Sequence, residues 1–211
     1  LRRGGRRPEG RGRQAELAAY PSLATHLPLV HAMLPWLGHA QTRARGTVCG
    51  SVAHADPSAE LPLALVALDG RIRLRALRSK RTVAARDFFN GMMLTDLKPG
   101  EMIDAVSFPK IRPGQGQGFA EVGRRKGDFA IVSCAAITEG KHVRLSVGGV
   151  EDTPALRDWD SLDDGQIDDA LNEFAWSLEA RDDLHATARY RRDLVRRLGR
   201  KTIEEARKCV R

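Results

Sequence analysis

The 211-residue sequence predicts an α+β fold built in two successive units, and three observations lead there. Apolar and charged residues alternate over Arg71–Leu77 and again over Met102–Phe108, the period of strands buried on one face. A longer run from Phe129 to Thr138 is followed, across Glu139-Gly140, by Val143 to Val150, the pattern of an antiparallel pair. Beyond residue 160 the period changes to that of amphipathic helices. Strands followed by helices, rather than alternating with them, indicate an α+β layer arrangement and not a parallel sheet.

Taken in order, residues 1–17 begin with LRRGGRRPEGRGRQA, a Gly/Arg/Pro mixture with no apolar period, and are expected to form a disordered basic arm. Leu23, Leu27, Val30, Leu34 and Leu37 then recur at threes and fours and predict one helix over 20–36, with Pro21 in its first turn, a kink at Pro28 and a stop at Gly38. Residues 41–60 are small and turn-rich, so something other than core packing sets their composition. Strands are expected at Leu65–Leu68, Arg71–Leu77 and Arg81–Ala85, the first two joined by an Asp69-Gly70 hairpin turn. A short helix or turn at 87–93, a loop at 97–101 and the strand to Phe108 complete the first unit. Pro109, Pro113 and the GQGQG run to Gly118 form the one internal linker, which places units at 18–113 and 114–211.

The second unit opens with Phe119–Gly123 and is expected to hold a three-stranded antiparallel sheet. Its first helix carries Ile167, Leu171, Phe174, Ala175 and Leu178 on one face, capped by Asp163 or Asp164. Its last helix carries Ala188, Leu194, Val195 and Leu198, starts at Asp182 or Asp183, and turns Arg191, Arg192, Arg196 and Arg197 outward.

Composition narrows the functional classes. Hydrophobic residues make up 42% and charged residues 29%, enough for a packed core. The net charge is +8, but six arginines against one glutamate put +5 in the first thirteen residues, which leaves +3 for the other 198. Charge confined to an arm, with 5% aromatics, argues against a nucleic-acid partner. No apolar run reaches the eighteen or so residues of a membrane span, and Leu1–Arg13 lacks a signal-peptide core, so a soluble, cytoplasmic protein with no membrane span is expected. Cys49, Cys134 and Cys209 form no CxxC pair, and the six histidines have no helical i,i+4 spacing, which points away from disulfides and resident metals.

The stretch that carries chemistry is Gly46-Thr47-Val48-Cys49-Gly50-Ser51. Spaced glycines let backbone N–H groups turn around an anion, and Thr47 and Ser51 add hydroxyls. Arg43 and Arg45 lie just upstream. An ordinary glycine turn with solvated arginines is the competing reading, and neither GK[ST] nor GxGxxG is present. Ser51, His54 and Asp56 are too close in sequence to make a hydrolytic triad.

The wider stretch RGTVCGSVAHADPSAELP resembles the FAD-binding medium subunits of the molybdenum hydroxylases, the family of xanthine dehydrogenase and aerobic carbon monoxide dehydrogenase. DFFNGMMLTDLKPGEMIDAVSFP, GFAEVGRRKGDFAIVSCAA and DDLHATARYRRDLVRRLGRKTI resemble later segments of that family in the same order, so the resemblance spans about 20–205. It implies a partial PCMH/VAO-like FAD-binding lobe followed by the C-terminal domain typical of these medium subunits. It implies FAD as cofactor, with the molybdenum cofactor in a large subunit and iron-sulfur clusters in a small one. The chain would then be an electron-transfer flavoprotein subunit of an oxidoreductase complex, passing electrons from those clusters to NAD or another acceptor. By motif position Gly46–Ser51 would hold the FAD diphosphate, Glu60 would stand near the cofactor, and Ile103 would pack beside the flavin; a helix-capping carboxylate is the competing reading of Glu60, and an ordinary core residue of an alternating strand that of Ile103. Two departures are visible: Cys49 replaces a family glycine, where a Cβ would either strain a left-handed backbone or crowd a closely approaching phosphate, and nothing in Leu1–Leu17 resembles the family's N-terminal lobe. The latter leaves open a truncated assembly module that does not bind FAD by itself.

Overall fold

The computed structural model describes residues 12–210; most of the expected basic arm, residues 1–11, lies outside them. Order begins within that arm, because Gln14–Ala18 form a helical turn, α1, with Gln14 and Leu17 buried. The amide of Gln14 donates to the Gly46 carbonyl and that of Val48 to the Gly12 carbonyl, which ties the segment to the glycine loop.

The helix expected over 20–36 is two: α2 (Leu23–His26) and α3 (Pro28–Met33). Pro28 cannot donate within a continuing helix, so the chain breaks before it and restarts with Pro28 in the first turn. The small-residue stretch folds as α4 (Ala40–Arg45) and α5 (Val48–His54). Where a strand was expected at 65–68, the chain forms α6 (Glu60–Ala67). All eight of its residues are buried, so no polar face marks a period and a short apolar run reads equally as strand or helix. Asp69-Gly70, with Asp69 at φ 52°, is therefore a helix-to-strand turn and not a hairpin.

That turn feeds β1 (Arg71–Arg75), which pairs antiparallel with β2 (Lys80–Ala84). Residues 85–87 make a 3-10 turn and then a small hairpin, β3 (Phe89–Gly91) with β4 (Leu94–Thr95). β5 (Met102–Ser107) closes the first sheet in the order β2-β1-β5. Arg81 grips both carboxylate oxygens of Glu101 at 2.7 Å and also bonds Asp96. The glutamate of the LKPGE motif is thus a structural tie.

The GQGQG run is not a linker but the start of β6 (Gln115–Gly123). It pairs with β7 (Ala130–Glu139), then β8 (His142–Gly148) and β9 (Ala155–Trp159), in one antiparallel sheet of order β6-β7-β8-β9. The fourth strand is a half-buried edge without alternation, which is why it read as loop. The helices α7 (Ile167–Ser177) and α8 (Ala188–Lys208) cover one face, and α8 starts on a Thr187 cap rather than at Asp182 or Asp183. The glycines of β6 face α8: a Cβ on Gly116 or Gly118 would overlap the carbonyl oxygens of Ala206 and Thr202. The intervening Gln117 faces the other way and accepts the Leu29 N–H of α3 at 3.1 Å. β7 has two buried faces, with Val132, Cys134 and Ala136 in the core under α7 and α8, and Ala135 and Ile137 in the core of the first unit. Among the described residues no helix is long and apolar enough to cross a membrane.

Because β6 and α8 meet backbone to backbone, Gly116→Ala is expected to lower stability by about 1–3 kcal/mol. Gly165→Ala, at a position with open space around it, is expected to stay within about 0.5 kcal/mol of wild type. Urea unfolding of both variants checks the contrast.

Candidate functional site

A cavity of about 680 Å³ lies where α4, α5 and the start of α6 face the β6–β7 loop and the start of α8. Its volume and its largely apolar lining with a few polar groups are those of a cofactor or small-molecule pocket.

Its first wall is built from the glycine loop. Thr47 caps α5 by accepting the Gly50 N–H at 2.9 Å, and a Cβ on Gly50 would stand 2.7 Å from that hydroxyl oxygen. The cap hydroxyl thus lies close over Gly50, where a side chain would press on it. The N–H groups of Gly46, Val48 and Ser51 are also bonded within the chain, to the carbonyls of Thr42, Gly12 and Thr47. These amides therefore do not open around a common centre. Gly50 and Ser51 face the cavity, while Gly46, Thr47, Val48 and Cys49 form the support behind them. Cys49 is helical, buried and outside the left-handed region, so the strain expected from its Cβ is absent. Burial pushes its thiol up to about 11.

After α5 the chain turns through Ala55 at φ 53°, and Asp56 accepts the Ser58 N–H at 2.8 Å. The Pro57 carbonyl accepts the Gly149 N–H at 2.8 Å, which stitches this turn to the second unit. It delivers Glu60 to the first position of α6, 5% exposed and on the cavity wall. Burial, then the nearby Asp56 charge, push its carboxyl up to about 7. Ile103 lies in the first core on β5 and does not line the cavity.

The opposite wall carries side chains to which the sequence reading gave no role in the site. Arg124, Asp128 and Phe129 come from the β6–β7 loop, and Phe129 is 62% exposed. Arg191, read as an outward arginine of the last helix, is 3% exposed. Its guanidinium donates to the carbonyls of Ile131 at 2.6 Å and Gly149 at 2.5 Å and to Asp183 at 2.5 Å. It is a buried brace under the cavity, made possible because three acceptors compensate its desolvation. The only available signal was its place one turn into a helix that follows two aspartates. Gln14 also lines the cavity, with its side-chain oxygen buried and unpartnered among the described residues. Chemically the pocket offers hydroxyl, amide, carboxyl and guanidinium groups around an apolar space, an arrangement for holding a ligand.

Residues 11–111 match the family described as the FAD binding domain in molybdopterin dehydrogenase. Residues 117–206 match the CO dehydrogenase flavoprotein C-terminal domain. The chain is 36% identical over 204 residues to the nicotine 6-hydroxylase medium subunit of Paenarthrobacter nicotinovorans, covering 91% of this chain and 71% of that one. Among solved structures it is similar to quinoline 2-oxidoreductase from Pseudomonas putida 86, at 28% identity and a TM-score of 0.83, over 93% of this chain and 72% of that chain. It is also similar to CO dehydrogenase from Oligotropha carboxidovorans, at 25% identity and a TM-score of 0.86, over 93% and 73% of the two chains.

The burial of Cys49 and Cys134 against the exposure of Cys209 gives a direct expectation. In the native protein one thiol reacts promptly with an aromatic disulfide reagent, and the other two react only on unfolding. Loss of the prompt reaction in Cys209→Ser checks the assignment.

Proposed function

The chain belongs to the FAD-binding medium-subunit family of the molybdenum hydroxylases, and from that premise we propose that its cavity holds FAD as the electron-transfer centre of a multi-subunit dehydrogenase. Organic substrate would be oxidised at a molybdenum cofactor in a large subunit. Iron-sulfur clusters of a small subunit would deliver the electrons, and NAD or another acceptor would take them away.

The observation that carries this reading is the convergence of both matched segments on one cavity, Gly50, Ser51 and Glu60 from the first and Arg124 to Ile131 from the second. The residues present fit a flavin nucleotide. Ser51 offers a hydroxyl and Arg124 a cation on the cavity wall, suited to a diphosphate. Gln14 brings a buried oxygen in need of a donor, and Phe129 supplies an exposed aromatic face. Within Gly46–Ser51, Gly50 and Ser51 would touch the diphosphate, and the Thr47 cap with Val48 and Cys49 would hold α5 in place. Glu60 would accept a hydroxyl or ring N–H of the cofactor. Ile103 would act at one remove, packing β5 beneath α5. When bound, FAD supplies the step between two-electron and one-electron chemistry; the protein binds it, orients it and excludes water. Residues 18–113 and 114–211 would then be the flavin lobe and the C-terminal domain.

Titrating the purified chain with FAD, alone and with its partner subunits, and following flavin fluorescence and gel-filtration stoichiometry tests the proposal. Near-stoichiometric flavin is expected, with Ser51→Ala weakening affinity by about tenfold and Gly50→Val by more. Folded, colourless protein in both settings would overturn it.

A further inference from the structure

Glu121 sits where a carboxyl group is costly. It is 7% exposed on β6, and both its side-chain oxygens are buried with no hydrogen-bond partner among the described residues. Directly across on β7 stands Ser133, so the two side chains share a face, and the Ser133 hydroxyl is likewise buried and unpartnered. The start of α6 lies over that face: a Cβ on Gly148, which pairs with Ser133 from β8, would meet both the Ser133 hydroxyl at 2.8 Å and the Pro57 carbonyl at 3.2 Å. Glu60, at the first position of α6, is the charged neighbour that acts on Glu121. No lysine or arginine among the described residues bonds either carboxyl group.

Two carboxyl groups in a low-dielectric site without a counter-charge do not both ionise; they hold a proton between them. We propose that Glu121 is a positioning residue for Glu60: its carboxyl, unpartnered as it stands, turns as a neutral acid to donate to the Glu60 carboxylate, fixes that side chain toward the cavity as a single negative charge, and couples ligand binding to proton uptake. The idea rests on the flavin reading only for the identity of the ligand. Asp56, ahead of α6, adds to the repulsion. Across the cavity Arg191 is committed to Asp183, and His39 approaches Asp128, which leaves His54, His185 and Arg124 on the wall as the other charged or titratable groups.

The direction of the pH effect follows. Burial pushes Glu60 up to about 7, and burial with the Glu60 charge pushes Glu121 up to about 8. The native state keeps protons that the unfolded chain has released, so this pair costs stability increasingly as pH rises from about 4.5 to about 8. A ligand that covers Glu60 favours the pair with one proton over the doubly ionised pair, so its affinity falls as pH rises past about 8.

FAD titrations of the full chain from about pH 6 to about pH 9 are expected to show Kd rising by up to about tenfold per pH unit above about 8, the limit for one proton taken up. Glu121→Gln, which keeps a neutral donor, flattens the profile; the wild-type slope in that variant would overturn the proposal. Melting curves over the same pH range need no ligand and separate this idea from the flavin reading. The wild-type melting temperature is expected to fall relative to Glu121→Gln as pH rises. Parallel lines would overturn the pair even if FAD binds, while diverging lines would uphold it even if FAD does not.

Discussion

The distance between α8 and β6 governs much of the rest of the structure. Gly116 and Gly118 let the helix backbone lie against the strand backbone at Thr202 and Ala206. An approach this close sets the helix axis to within a fraction of a side chain, a tolerance that packed interiors do not relax. Several turns before Thr202 the same helix must bring Arg191 under the sheet, where one guanidinium holds Ile131, Gly149 and Asp183 together. The chain from Ile131 runs back to Phe129 and Arg124, and that from Gly149 is bonded to Pro57 just ahead of Glu60. Both walls of the cavity are therefore referenced to the placement of one helix. Gln117 makes the opposite connection, from β6 to the α3 backbone.

This arrangement shows where the sequence was legible. Strands with one wet face, such as β1 and β5, announced themselves through arginine and aspartate alternation. So did α7, with acidic residues opposite Ile167, Leu171 and Phe174. The clearest failures occurred where both sides are buried. Helix α6 lost its period because nothing on it meets water, and β6 looked like a linker because glycine served close packing rather than a turn. The four ordered motifs carried the family and the flavin, since they hold residues whose identity is dictated by function and not by hydropathy.

The candidate site was legible in part. Gly50, Ser51 and Glu60 were found by motif position and stand together on the cavity wall. Thr47 and Cys49 came with them in sequence, but a cap and a core thiol have local signatures no different from those of ligand contacts. The second wall was hidden because Arg124, Phe129 and Arg191 belong to a turn and a charged helix whose burial is decided by tertiary packing. Glu121 was equally hidden: a glutamate inside a strand pattern reads as solvent-facing until the opposite layer is known.

The two-faced strand β7 has a consequence for how the chain comes apart. The matched segments end and begin near 111 and 117, a seam that suggests two separable modules. Yet Ala135 and Ile137 complete the core of the first, while Val132, Cys134 and Ala136 on the same strand complete that of the second. One ten-residue strand is thus a party wall: the second module's interior is its own, but the first module's is closed by a strand of the second. Lineage divides this molecule at the seam, whereas the interior of its first module runs across it.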